Sequence, residues 1–321
     1  MKAFAHILYV IDPAAAGEAG LVRAVSLAES NQATLTLIDV IPEEMLDLSL
    51  APPGTPAERV REAAIARRRA DIEARIRPHA ERVACRIEVR IGIRFIEVIR
   101  AVLRDGHDLA IKTAEDPEWS HLLFGSDDMH LMRKCPCPVW LMTPRETPRY
   151  RRIVAALDID VHRAAPGQAA LNDDILEVAG ALALAELAEL HLVHAWDAPE
   201  AGFVSLWADD PEATEQHIVE SEHSRHKIGM DRLTHRLVER IGEEAYDYLA
   251  PRIHLPMGQA RKQIPRLVES LKADLVVMGT VGRTGIPGFI IGNTAEAMLY
   301  QLQCSVLALK PPGFVSPVTL A

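Results

Sequence analysis

The residues with the clearest chemistry lie late in the chain, in the run Gly279-Thr280-Val281-Gly282-Arg283-Thr284-Gly285-Ile286-Pro287-Gly288-Phe289-Ile290-Ile291-Gly292-Asn293-Thr294. It follows an apolar stretch of strand length and precedes a helical pattern over 294–301. Glycines at such a place let backbone N–H groups approach an anionic oxygen with no Cβ in the way. A helix N-terminus adds unpaired donors and a partial positive charge, which suits phosphate. Asn293 and Thr294 are capping types that can add polar contacts to phosphate oxygens. The spacing matches neither of two well-known phosphate loops: Gly-Lys-Ser/Thr and Gly-X-Gly-X-X-Gly are both absent.

The elements that must position this loop occur twice along the chain. Each half opens on an apolar run ending in an acid, Asp12 in the first and Asp158 in the second. Helical patterns over 21–30 and 171–187 follow, then strands over 33–40 and 190–196. Long charged helices are expected near 56–80 and 212–242, third strands over 85–91 and 252–257, and short helices over 95–104 and 261–271. Next, His107-Asp108-Leu109-Ala110-Ile111 matches Ala273-Asp274-Leu275-Val276-Val277, and the spacing from Gly125 to Cys137 equals that from Gly292 to Cys304. A shared spacing of this kind marks an internal duplication. Strands alternating with helices, and near-continuous apolar strands, predict two tandem α/β domains of Rossmann-like type, each an open five-stranded parallel sheet flanked by helices. In such sheets ligands sit beyond the carboxyl ends of the strands. The expected division is 1–145, 146–312 and a tail over 313–321, with Pro144, Pro148 and the basic stretch 149–152 as linker.

The order Gly279, two residues, Gly282, nine residues, Gly292 resembles the ATP-binding branch of the universal stress proteins. Gly292-Asn293-Thr294-Ala295-Glu296, Leu8-Tyr9-Val10-Ile11-Asp12-Pro13, Leu131-Met132-Arg133-Lys134-Cys135-Pro136 and the tail around Ser316-Pro317-Val318 are similar to the tandem E-type members. The resemblance implies the adenine nucleotide alpha hydrolase-like fold and ATP, with or without Mg, in the second domain. It maps nucleotide contacts onto Asp158, Val193, Gly279, Gly282, Arg283, Gly292, Asn293 and Thr294, with Val193 on the strand passing near the adenine. It also implies an intramolecular pseudo-dimer through the fifth strands near Val139 and Val306, and leaves a further homodimer open. Where the family usually has Ser or Thr after the last glycine, this chain has Asn293, with Thr294 next. The matching stretch of the first half, Thr113-Ala114-Glu115-Asp116-Pro117, lacks the early glycines and carries two acids. Carboxylates repel phosphate, so the first domain is expected not to bind a triphosphate, and Asp12 to be structural.

Other constellations point to less. The net charge of −10 disfavours general nucleic-acid binding. The arginines between Arg59 and Arg77 interleave with Glu58, Glu62, Asp71 and Glu73 and read as a salt-bridged helix face. His217, His223 and His226 lie on a predicted helix; His223 and His226 could share a metal, but a solvated polar helix is favoured. His191 and His194 should point to opposite faces of a strand and so not pair with one another. Cys135 and Cys137, in a Cys-Pro-Cys-Pro run, read as a packed strand entry, and no metal site is expected. No nucleophile elbow appears, and Asp158 is one acid near one loop; the expectation is a non-catalytic protein, with slow ATP hydrolysis left open. No apolar run reaches bilayer length and no signal peptide opens the chain, so a cytoplasmic location with no membrane partner is expected. The apolar stretches 45–53 and 198–211 need cover, which suggests as an alternative a scaffold or a carrier of an apolar small molecule with no nucleotide bound. Protein partners are not legible.

Overall fold

The computed structural model describes residues 4–12, 18–46, 55–115, 126–144, 147, 149–162, 167–280 and 291–320. They fall into two compact units, one from the chain up to residue 148 together with the tail from Phe314, the other from residues 149–313.

In the first unit β1 (His6–Val10), β2 (Thr34–Ile41), β3 (Cys85–Ile91), β4 (Leu109–Thr113) and β5 (Val139–Met142) form a parallel sheet in the order β3-β2-β1-β4-β5. The connecting helices are α1 (Ala19–Asn31), α2 (Ala57–Ile76), α3 (Arg94–Asp105) and α4 (Ser126–Lys134). Arg100 Nε donates to the Thr319 carbonyl oxygen (3.3 Å), tying the tail to α3.

The second unit repeats the order. Its strands β6 (Arg152–Ala156), β7 (Glu189–Val193), β8 (Arg252–His254), β9 (Leu275–Gly279) and β10 (Ser305–Leu309) run β8-β7-β6-β9-β10, all parallel. Its helices are α5 (Gln168–Glu186), α6 (Ala201–Ser205), α7 (Pro211–Ile241), α8 (Glu243–Leu249), α9 (Ala260–Leu271) and α10 (Asn293–Leu299). The register is the same in both: Ile7 pairs with Leu35 and Leu109, Ile153 with Leu190 and Leu275. At the far edge Ile41 pairs with Ile91, and Trp196 with Met257.

The cores are aliphatic, as the scarcity of aromatics requires. Ile153, Val154, Leu190, Leu192, Val276, Val277, Val306 and Leu307 are all buried, each stabilising its unit by roughly 1.5–3 kcal/mol. The long helix α7 buries only His226, Met230, Leu233 and Leu237, one stripe at helical spacing. Asp210 caps its start by accepting from Ala213 N (3.1 Å), Pro211 occupies the first turn, and Gly242 at φ 86° ends it. Among the described residues no helix is long and apolar enough to cross a membrane.

Candidate functional site

In an open parallel sheet of this order the sense in which successive strands are added reverses between β1 and β4, and between β6 and β9. The crevice at their carboxyl ends is the place for a ligand. In the second unit that edge carries Asp158, just past β6, and Gly279, the last residue of β9.

The turn at Asp158 is held from two sides. Its N–H donates to Asn172 Oδ1 (3.1 Å) and its carbonyl accepts from Asn172 Nδ2 (2.7 Å). On the other side the buried His194 places Nδ1 3.2 Å from the Leu157 carbonyl oxygen and 3.4 Å from Ile159 N. One tautomer donates to Leu157 and the other accepts from Ile159, so either fastens the turn. His194 Nε2 in turn lies 2.9 Å from Nδ1 of His226 on α7. His226 is buried with it against the ring of Trp196, so the expectation of a solvated histidine fails there: the α7 stripe that packs on the sheet begins at this residue. His191 does not pair with His194; its Nδ1 lies 3.0 Å from Nε2 of His254. Burial holds the His191 and His254 imidazoles below their ordinary range.

Beside this turn lies a cleft of about 330 Å³. Ala195, Trp196 and Asp197 from the end of β7 form one wall, Gly258 to Arg261 the next, and Asn293 and Thr294 the third. Gly258 N donates to the Trp196 carbonyl oxygen (2.7 Å), and Trp196 Nε1 to that of Leu255 (3.0 Å), which fixes the wall beneath. Gly258 sits at φ 122°, and a Cβ there would come within 2.6 Å of Gln263 Nε2. Two helices, α9 and α10, start on the cleft, and neither has a side-chain cap on its first amides. The Gln259 side chain instead accepts from Arg261 Nε (3.1 Å). The two helices are joined further along. Pro265 inside α9 has no N–H for the Arg261 carbonyl, which accepts from Gln301 Nε2 (2.9 Å) just beyond α10. Lys310, buried at the end of β10, donates to Thr280 Oγ1 (2.6 Å). Uncapped helix starts and the Arg261 guanidinium suit the cleft to an anion, while the exposed Asp197 carboxylate in its wall works against one.

The residues singled out by sequence are distributed as follows. Asn293 and Thr294 line the cleft, and Gly292 stands at the start of α10, its N–H donating to the Thr280 carbonyl (2.8 Å). Asp158 and Gly279 lie at the neighbouring strand ends, outside the lining. Gly279 has a packing reason for its lack of side chain: a Cβ would meet Leu171 Cδ2 at 2.7 Å. Val193 is fully buried in the sheet, its carbonyl accepting from Leu157 N (2.8 Å), and the residues of that strand reaching the cleft begin at Ala195. Gly282 and Arg283 lie outside the described residues. Sequence reasoning missed Trp196, Asp197 and the turn Gly258–Arg261. A signal was present: Gly92 at φ 149° and Gly258 occupy the same position after the third strand in both halves.

The first unit has a different edge. Lys112, where the second unit has Met278, is buried and donates to Asp128 Oδ1 (2.6 Å), where the second unit has Ala295. The Glu115 N–H donates to Asp128 Oδ2 (2.9 Å), and its carboxylate lies 3.4 Å from Lys112 and 3.6 Å from Arg94. Burial pushes the Glu115 carboxyl up, with Lys112 acting against it. Asp39, at the register position of His194, is buried 3.7 Å from Arg68 of α2. So Arg68 reaches inward, unlike Arg69, whose exposed i,i+4 pair with Glu73 matches the expected salt-bridged face, and Arg61, which pairs with Glu43 before the helix. Burial raises the Asp39 carboxyl, against the pull of Arg68 and Arg94. The Cys135 and Cys137 sulfurs lie 3.5 Å apart, both buried, which agrees with a packed strand entry.

The sequence profile of the universal stress protein family matches residues 3–142 and again 149–310. The chain belongs to the universal stress protein family. Over its whole length it is 30% identical to universal stress protein E of Escherichia coli K12, covering 98% of that relative. It is 27% identical to universal stress protein E of Photorhabdus laumondii, covering 99% of it. Among solved structures, a universal stress protein of Pseudomonas aeruginosa UCBPP-PA14 superposes with a TM-score of 0.66 at 25% identity, over 97% of this chain and 94% of that one. A universal stress protein of Archaeoglobus fulgidus gives 0.62 at 15% identity, over 95% and 98%, and shares the fold. The family match in two tandem segments agrees with the duplicated sheet order.

Proposed function

We propose that the second unit binds ATP or a related adenine nucleotide, and that the chain acts as a nucleotide-responsive stress protein without turning its ligand over. The observation carrying this reading is the convergence of the α9 and α10 starts, with Arg261, on one cleft beside the β6–β9 crevice. Each uncapped helix start favours an anion by about 0.3–1 kcal/mol, and a guanidinium adds charge-assisted bonds. In this reading Asn293, Thr294, Arg261 and the first amides of α10, after Gly292, hold phosphate oxygens. Asp158, fixed by Asn172 and His194, takes the sugar hydroxyls, and Asp197 would be the carboxylate to hold a Mg ion, which would supply countercharge to the phosphates. The first unit holds no nucleotide, because Lys112, Asp128 and Glu115 fill the corresponding edge with one another's charges. The apolar side chains Phe203, Val204, Leu206 and Trp207 are not among the residues lining this cleft.

Calorimetry of the full chain with Mg-ATP tests this. One nucleotide per chain is expected, weakened at least about tenfold by Arg261→Glu and by Gly282→Asp with no loss of fold. No heat on mixing, or binding indifferent to both changes, contradicts it. A malachite-green assay on the same samples, expected to show no phosphate release above buffer, separates binding from turnover.

A further inference from the structure

We propose that the α6 corner of the second unit is a docking surface for a basic amphipathic segment of a partner protein. Four large apolar side chains stand in water within five residues: Phe203 at 67% exposure, Val204 at 47%, Leu206 at 71% and Trp207 at 83%. The local build explains why they point outward. The side of α6 turned to the protein carries Ala201 and Ser205, both buried, and the Ser205 hydroxyl donates to the Gly202 carbonyl (3.0 Å). With small residues inward, the large ones have only the outer face. Phe and Trp are residue types that anchor protein interfaces, and an exposed apolar patch with a polar rim marks an interaction site.

The rim decides the occupant. From Asp197 to Ser224 there are eight acidic residues and no Lys or Arg. Glu200, Asp209, Asp210, Glu212 and Glu215 are exposed around the patch, and Glu215 Oε1 lies 3.9 Å from where a Gly202 Cβ would stand. A second copy of the chain would bring the same acids together. Its arginine-rich α2 is no substitute, because that helix exposes no large apolar side chain to meet Trp207. An anionic lipid surface is repelled by the rim. A helix with leucine-like side chains on one face and Lys or Arg flanking them satisfies both the apolar centre and the acidic border.

The test uses the full chain and two short fluorescent helical peptides of identical spacing, one of Leu and Lys, the other of Leu and Glu. The Leu-Lys peptide should bind saturably, and bind at least about tenfold more weakly to Phe203→Ser/Trp207→Ser. Added salt should weaken it, and the Leu-Glu peptide should not bind. Both substitutions are at exposed positions, and circular dichroism reports whether the variant is folded; Trp207→Ser alone serves if the double variant is not. Absence of saturable binding, equal binding of the Leu-Glu peptide, or binding unchanged in the variants overturns the proposal. So does a homodimer that the double variant dissociates, which would assign the patch to a second copy. Partition of the wild type but not the variant onto phosphatidylcholine vesicles would assign it to lipid, with the same consequence.

Discussion

The carboxyl edges of the two units share a backbone and differ in chemistry. Equivalent strand positions carry Lys112 and Met278, Thr113 and Gly279, Asp39 and His194. In the first unit a buried ammonium, three carboxylates and two guanidiniums answer one another. In the second, an imidazole pair fastens the Asp158 turn, and uncapped helix starts face a cleft. A duplicated sheet therefore keeps its register while side chains at a few strand ends set how charge is arranged at its carboxyl edge.

The largest expected effect tests whether the first edge is closed by its own ion pair. Asp128→Ala leaves Lys112 buried without its nearest carboxylate, and should cost the first unit about 3–5 kcal/mol in urea denaturation. Lys112→Met/Asp128→Ala installs the second unit's residues and should return within about 1 kcal/mol of wild type. If the double variant is as damaged as the single one, the pair is not the organising contact. Next in size is Gly258→Ala, which places a Cβ at φ 122° against Gln263. It should lower second-unit stability by about 1–3 kcal/mol in thermal unfolding, more than Gly92→Ala, whose Cβ would come no nearer than 3.2 Å to the Glu97 side chain.

A smaller effect separates fold from binding. His194→Leu removes the bond that fastens the Leu157–Ile159 turn and should weaken Mg-ATP by roughly 1–2 kcal/mol. His194→Asn, which keeps a polar atom near the position of Nδ1, should recover part of that loss. The smallest effect concerns pH. The folded Asp39 carboxyl is raised by burial, so the folded first unit holds its proton where the unfolded chain has released it. First-unit stability should then fall as pH rises from about 3.9 through the raised value. Asp39→Asn should flatten that slope and add about 1 kcal/mol at neutral pH, read by denaturation at a series of pH values.

The sheets were legible because most strands are near-continuous apolar runs and each repeat carries the same spacing. Cys85–Ile91 emerges as read, and the others shift by one to three residues where strand pairing ends. α6 and α8 were missed. α6 is too short to show a period, and α8 follows α7 after a single glycine. Asn293, Thr294 and Gly292 were readable from the glycine spacing. The other walls of the cleft were not, because Trp196 and Arg261 are brought together only by the β7–β8 pairing and the Trp196–Met257 bridge. The burial of His226 was hidden because α7 is polar overall and its inward stripe is one residue wide. The charged filling of the first edge was half visible, in the acids after Thr113, while the link from Lys112 to Asp128 spans sixteen residues and needs the fold.

Hydrogen exchange with and without Mg-ATP compares the two edges in one experiment. Slower exchange should appear in peptides covering 258–263, 278–280 and 291–299, with no change in 109–115 and 126–134. Protection at the first unit's edge, or at neither edge under saturating nucleotide, would contradict the account.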